Sequence, residues 1–178
     1  MRLGSEAAGP GAVRHPVFAR YFARVSVGAD ARLGFAEVRR RLLAGLSGRV
    51  IEVGAGNGLN FARYPASVAQ VVAVEPEPLL GRLARESARR APVPVDVVPG
   101  AAEALPVESG AFDAVVPSLV LCSVRAVARA PEEARRVLRP GGPVRFFEHA
   151  RGGGPATRVP PRVLHRTVCA ALARGRLL

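Results

Sequence analysis

Lysine is absent from this chain, so its formal net charge of +12 is carried by arginine alone. The arginines are scattered over several expected helices with few aromatics between them, and they accompany abundant Ala, Gly, Pro and Val. That pattern fits GC-rich coding and argues against a nucleic-acid surface, which gathers its basic residues on one face. Cysteine is scarce: Cys122 and Cys169 fit no metal or redox spacing and read as reduced thiols. The three histidines lie far apart in sequence, so no metal site is expected. No stretch approaches the roughly 18 uninterrupted apolar residues of a membrane span. The opening MRLGSEAAGPGAVRHP has no apolar core or cleavage site of a secretory signal, and a cytoplasmic setting is the expectation. An apolar fraction of 49% excludes disorder of the whole chain, and 178 residues make one domain's worth of core.

What is present is concentrated between Arg49 and Pro65, RVIEVGAGNGLNFARYP. Val50, Ile51 and Val53 form a short β-branched run, as in a strand buried on both faces. Gly54, Gly56 and Gly58 follow at alternate positions, with Ala55 and Asn57 between them. Without Cβ atoms the turn can take positive φ and approach a ligand closely, its N–H groups left free to bind one. A helix over 57–64, ending at Pro65, would point its positive N-terminus at the same place. A dinucleotide fingerprint, G-x-G-x-x-G, requires glycine at position 59, where this chain has Leu59. An ordinary turn between a core strand and a helix could also carry these glycines. A second acidic residue separates the readings. The run Val71 to Val74 ends at Glu75, followed by Pro76, and a carboxylate at that strand end can accept hydrogen bonds from both hydroxyls of a ribose.

The remaining pattern alternates strands and helices. A first helix from His15 would place Val17, Phe18, Tyr21, Phe22 and Val25 on one inward face, covering the sheet or forming a lid. Asp30 would cap a second helix whose Ala31, Phe35, Val38, Leu42 and Leu46 face the core, leaving Arg39, Arg40 and Arg41 as a solvated face. Glu75-Pro76 would open a third, with Leu79, Leu80, Leu83, Ala84, Ser87 and Ala88 toward the sheet. Strands are expected at 95–98, 112–116 and 143–148. A helix starting near Pro131 carries Glu132 and Glu133 in its first turn. This order implies a parallel, doubly wound α/β sheet. The expected organisation is a flexible 1–14, a domain over 15–150, and a Gly/Pro-rich linker with a basic helix over 151–178.

The segment Glu52-Val53-Gly54-Ala55-Gly56-Asn57-Gly58 resembles the first motif of class I S-adenosylmethionine-dependent methyltransferases. The Arg139-Pro140-Gly141-Gly142 turn between a helix and a strand is similar to another of their motifs. The runs 118–124 and 136–142, ending in Phe147-Glu148-His149, look like the thiol S-methyltransferases and their bacterial relatives, within the wider group of ubiquinone and menaquinone methyltransferases. The resemblance implies S-adenosylmethionine as cofactor, with Glu52 orienting its methionine end, Gly54, Ala55, Gly56, Asn57 and Gly58 forming the turn, and Glu75 and Pro76 at the ribose. It implies adenine contacts from Ala101, Ala102 and Glu103, although Ala101 stands where the family usually has an acid. It also implies cofactor contacts from Ser118 and Leu119, which fall where the transferable methyl meets its acceptor in that fold, and His149 is the candidate base or substrate contact. The [DN]-P-P-[FYW] signature of amino methyltransferases is absent, Pro117-Ser118-Leu119-Val120 taking its place. The expected reaction is methyl transfer to a small thiol or quinone-like acceptor. The alternative is a shortened, non-catalytic cofactor-binding domain or one acting through its sheet edge. The family's last two strands are not visible in residues 149–178, which would leave strand five as an edge open to a second copy.

Overall fold

The computed structural model describes residues 16–32, 34–120 and 128–148, without the side chains of Phe18, Ala29 and Ala31. Expectations about residues 1–14, Phe18, Ala31, Cys122, His149, the 151–178 segment with Cys169, and the last two strands lie outside the described residues. In chain order the elements are α1 (Pro16–Arg32), α2 (Phe35–Leu43), β1 (Gly48–Val53), a 3-10 turn (Phe61–Arg63), β2 (Val68–Val74), α3 (Pro78–Ala88), β3 (Val95–Val98), β4 (Ala114–Pro117) and α4 (Arg129–Val137).

All strand pairs are parallel, in the order β3-β2-β1-β4. Side chains alternate across a strand with period two, and here both faces are buried. Val50, Val71, Ala73, Ala114 and Val116 share one core with Leu43, Leu46, Phe61 and Tyr64. Ile51, Val53, Val72, Val74 and Val115 share the other with Ala130, Ala134 and Val137 of α4. This explains the largely apolar make-up of β1, β2 and β4, in which Glu52 is the buried exception.

Residues 143–148 extend the row beside β4, through parallel bridges Val115↔Val144 and Ser118↔Phe147, but do not form one unbroken strand. The reason lies in β4. Val115 N–H donates to Pro143, Arg145 and Phe147 donate to Val115 and Pro117, and Leu119 donates to Phe147. The intervening donor would be residue 117, a proline with no N–H.

Four expectations are corrected. On α1, Val17, Tyr21 and Val25 are exposed while Ala19, Ser26 and Asp30 are buried. The inward face is therefore chosen by polar partners rather than by the largest apolar groups. Asp30 lies within α1 and caps nothing; α2 begins after Gly34, whose φ of 71° ends the preceding path. Arg39 is buried, whereas Arg40 and Arg41 are exposed and pair with Glu37. Finally, α3 opens at Pro78, not at Glu75-Pro76, with Glu77 as its cap: the Glu77 carboxylate accepts from Leu80 N–H at 2.9 Å. Proline at the first helical position suits that start.

Candidate functional site

The strand order reverses direction at β1, between β2 and β4, and in open parallel sheets ligands bind outside the strand ends at that point. The glycine turn follows β1 there. Gly54, Gly56 and Gly58 have φ of 70°, 58° and 79°, the left-handed region that side chains rarely adopt. The expected helix over 57–64 is absent; the chain makes turns and then only the 3-10 turn, so no helix N-terminus points at this loop. The expectation of free amides in the turn also fails. Gly54 and Ala55 N–H both donate to Val74 C=O, Gly58 donates to Ala55 C=O, and Gly56 donates to Glu75 Oε2 at 2.7 Å. The neighbouring strand end draws these donors inward because buried carbonyl and carboxylate oxygens require them.

The space freed by missing Cβ atoms is used by other segments. A Cβ on Gly54 would lie 2.3 Å from a Val120 methyl, and one on Gly56 would lie 3.2 Å from the Phe22 ring. Helix α1 therefore crosses the turn. Ser26 of the same helix accepts a hydrogen bond from Asn57 Nδ2 at 3.0 Å, and among the described residues Asn57 Oδ1 is buried without a partner.

Glu75, at the end of β2, accepts from Gly56 N–H through Oε2 and from Glu77 N–H through Oε1, the latter at 2.9 Å. Burial pushes its carboxyl up to about 7, against the opposing effect of the Glu77 and Gly56 amides. A carboxylate has about four acceptor positions, so each oxygen retains capacity for a further donor. Glu52 is 1% exposed and turned toward a different set of groups. Tyr64 O–H donates to Oε2 at 2.8 Å and Asn60 Nδ2 to Oε1 at 2.8 Å. Burial also raises this carboxyl to about 7; the bonds from Tyr64 and Asn60 and the nearby Arg39 charge oppose that rise, and Glu75 adds to it. Tyr64 is in turn pushed well above its ordinary value by burial and by Glu52.

Ser118 is buried at the end of β4 and accepts from Arg39 Nη1 at 2.9 Å. Leu119, with φ 57°, is a non-glycine residue in the left-handed region, a conformation costing about 1–3 kcal/mol and frequent at ligand sites. Val120 N–H donates to Glu148 Oε1 at 2.7 Å, tying this loop to the 143–148 segment. Ala101, Ala102 and Glu103 lie in a tight turn closed by Ala104 N–H on Ala101 C=O, with Ala102 buried against the second core. Pro76 follows Glu75 and is partly exposed.

The structure thus brings the glycine turn and Glu75 into direct contact and holds the buried Glu52 on Tyr64 and Asn60. It also assembles residues the sequence reading missed: Arg39, Asn60, Tyr64, Ser26 and Glu77. Only Glu77 had a local signal, an acidic residue directly before a helix-opening proline. Among the described residues no group of three or more metal-ligating side chains occurs and no helix is long and apolar enough to cross a membrane.

Comparison with known proteins follows the same geometry. Residues 51–146 match the family described as Methyltransferase domain. Over 112 residues the chain is 38% identical to the human thiol S-methyltransferase TMT1B, covering 60% of this chain and 46% of that protein. Human thiol S-methyltransferase TMT1A is 39% identical over 111 residues, covering 60% and 45% respectively. The chain spans about half the length of the curated relatives it matches. A solved structure of a SAM-dependent methyltransferase from Thermotoga maritima is 26% identical with a TM-score of 0.58, covering 72% of this chain and 58% of that one.

Proposed function

Because this chain belongs to the methyltransferase-domain family, we propose that it binds S-adenosylmethionine beside Glu75 and the glycine turn and transfers its methyl group to a small-molecule thiol. The observation that carries this reading is the bond between Gly56 N–H and Glu75, which holds a buried carboxylate against the glycine-rich turn. The residues present fit the cofactor. Glu75 keeps acceptor capacity for two ribose hydroxyls and the buried Asn57 Oδ1 awaits a donor, while the side chains of Val120 and Phe22 border the turn over Gly54 and Gly56.

S-adenosylmethionine supplies a methyl group on a positively charged sulfur, so the reaction is an in-line displacement governed by positioning. The chain's part is to orient and enclose. Glu75 takes the ribose, with Pro76 beside it, and Gly54, Ala55, Gly56, Asn57 and Gly58 shape the methionine side. The 101–103 turn borders the adenine through backbone groups of Ala101 and Ala102, with Glu103 as the substitute for the acid missing at Ala101. Glu52 acts through Asn60 and Tyr64. Ser118 and Leu119 line the acceptor side. A thiol with a pKa near 8.5 provides thiolate at neutral pH without a dedicated base. The thiol acceptor is supported by the resemblance to TMT1B and TMT1A, and His149 is the candidate base for an acceptor that needs one.

Isothermal titration with S-adenosylmethionine, followed by assay of the demethylated cofactor with a panel of thiols, phenols and quinols, tests this. Micromolar binding and turnover with thiols are expected. Absence of binding by a folded chain would overturn the reading, and turnover with quinols alone would replace the acceptor class.

A further inference from the structure

Arg39 is 6% exposed, and three of its bonds run to three segments far apart in the chain. Its Nε donates to Asp30 Oδ1 of α1 at 2.8 Å, and its Nη1 donates to both Asn60 Oδ1 and Ser118 Oγ at 2.9 Å. Asp30 is held a second time, by Arg63 at 2.6 Å. Stability alone does not call for such an arrangement. Taking a guanidinium out of water costs several kcal/mol, and well-packed apolar replacements for buried ion pairs are often neutral or stabilising.

The positions of its partners suggest what it does. Ser118 ends β4 on the proposed acceptor side. Asn60 follows the glycine turn, and because its Oδ1 accepts from Arg39, its Nδ2 is turned to Glu52. One rigid guanidinium fork therefore sets a hydroxyl at the end of β4 and, through an amide, a carboxylate at the end of β1. Asp30 links the same fork to α1, whose Phe22 and Ser26 cross the glycine turn.

We propose that Arg39 is a positioning residue for methyl transfer, fixing Ser118 and the Asn60–Glu52 pair relative to the turn. This rests on the methyltransferase reading above. Arg39 touches no reacting atom; it acts through Ser118 and Asn60. Misplacing groups at a reacting centre by about 1 Å can lower a rate by roughly 100-fold, whereas binding that depends on Glu75 is held by a separate set of bonds.

The test uses Arg39→Lys, Ser118→Ala and Ser118→Thr, with Arg40→Lys as an exposed control from the same helix. Lysine keeps the charge and the Asp30 pair but lacks the fork, and Arg63 remains to hold Asp30, so the chain should stay folded. Titration with S-adenosylhomocysteine, kcat and KM for a thiol acceptor, Tm and amide exchange over residues 57–60 and 118–120 are measured together. Arg39→Lys and Ser118→Ala should lower kcat by about 10- to 100-fold while KM and cofactor affinity hold, with Ser118→Thr restoring kcat. Exchange over both segments should quicken in Arg39→Lys while β2 stays protected. If the variants lower only Tm and turn over like the wild type, Arg39 is merely structural and the proposal falls. A wild type that binds neither cofactor form overturns the methyltransferase reading itself, a separate result from silent variants of an active enzyme.

Discussion

Glu52 and Glu75 end adjacent parallel strands, are both buried, and are both pushed up to about 7 by burial, yet they are held by different donors. Glu75 takes two backbone amides, one from the glycine turn and one from the approach to α3. Glu52 takes two side chains, Tyr64 and Asn60, which belong to the network around Arg39. On the proposed reading, a backbone-held carboxylate at the turn keeps its free lone pairs for the ligand. One enclosed by side chains transmits position. The shared pKa direction conceals this division of labour.

The largest expected effect concerns pH. Each folded-state carboxyl titrates near 7, against 4.5 for the ordinary group. The folded chain therefore keeps protons that the unfolded chain has released, so the stabilising contribution is fully present below about 4.5 and is lost as pH rises through 7. The change is on the order of 3 kcal/mol for each group. Denaturant unfolding from pH 5 to 8 should show falling stability, with Glu52→Gln and Glu75→Gln each removing part of the slope. Ribose hydroxyls donate to a carboxylate and favour its charged form, so saturating S-adenosylmethionine should flatten the Glu75 share and leave that of Glu52. Equal flattening of both would break the distinction.

Next in size, Glu75→Ala should weaken cofactor binding by about 1.5–3 kcal/mol, the range for hydrogen bonds to charged groups. Calorimetry showing unchanged affinity would remove Glu75 from the ribose. The smallest effect is expected for Tyr64→Phe, which leaves Glu52 with Asn60 alone. Stability should fall by about 1–1.5 kcal/mol near neutral pH, with cofactor affinity retained; an affinity loss matching that of Glu75→Ala would place Glu52 in direct ligand contact.

Much of the fold was legible because its signals are local. Val95–Val98 and the β1 and β2 runs announced themselves by β-branched apolar stretches bounded by turn residues, and the three glycines by their spacing. The site was legible in its acidic residues and turn but not in its connections. The break in pairing beside β4 depends on Pro117 meeting residues 143–148, two segments far apart in the chain. Likewise, Val17 and Tyr21 had the spacing of a buried face, but α1 turns Ser26 and Asp30 inward because their partners lie there.

By itself the sequence determined the alternation of strands and helices, the glycine-rich turn, and the acidic residues on either side of it, since each depends on neighbours a few positions away. Tertiary structure alone decided which of three consecutive arginines goes inside. Arg39, Arg40 and Arg41 are chemically identical, and successive residues point about 100° apart around a helix. Only the one aimed at Asp30, Asn60 and Ser118 finds enough partners to offset the loss of water.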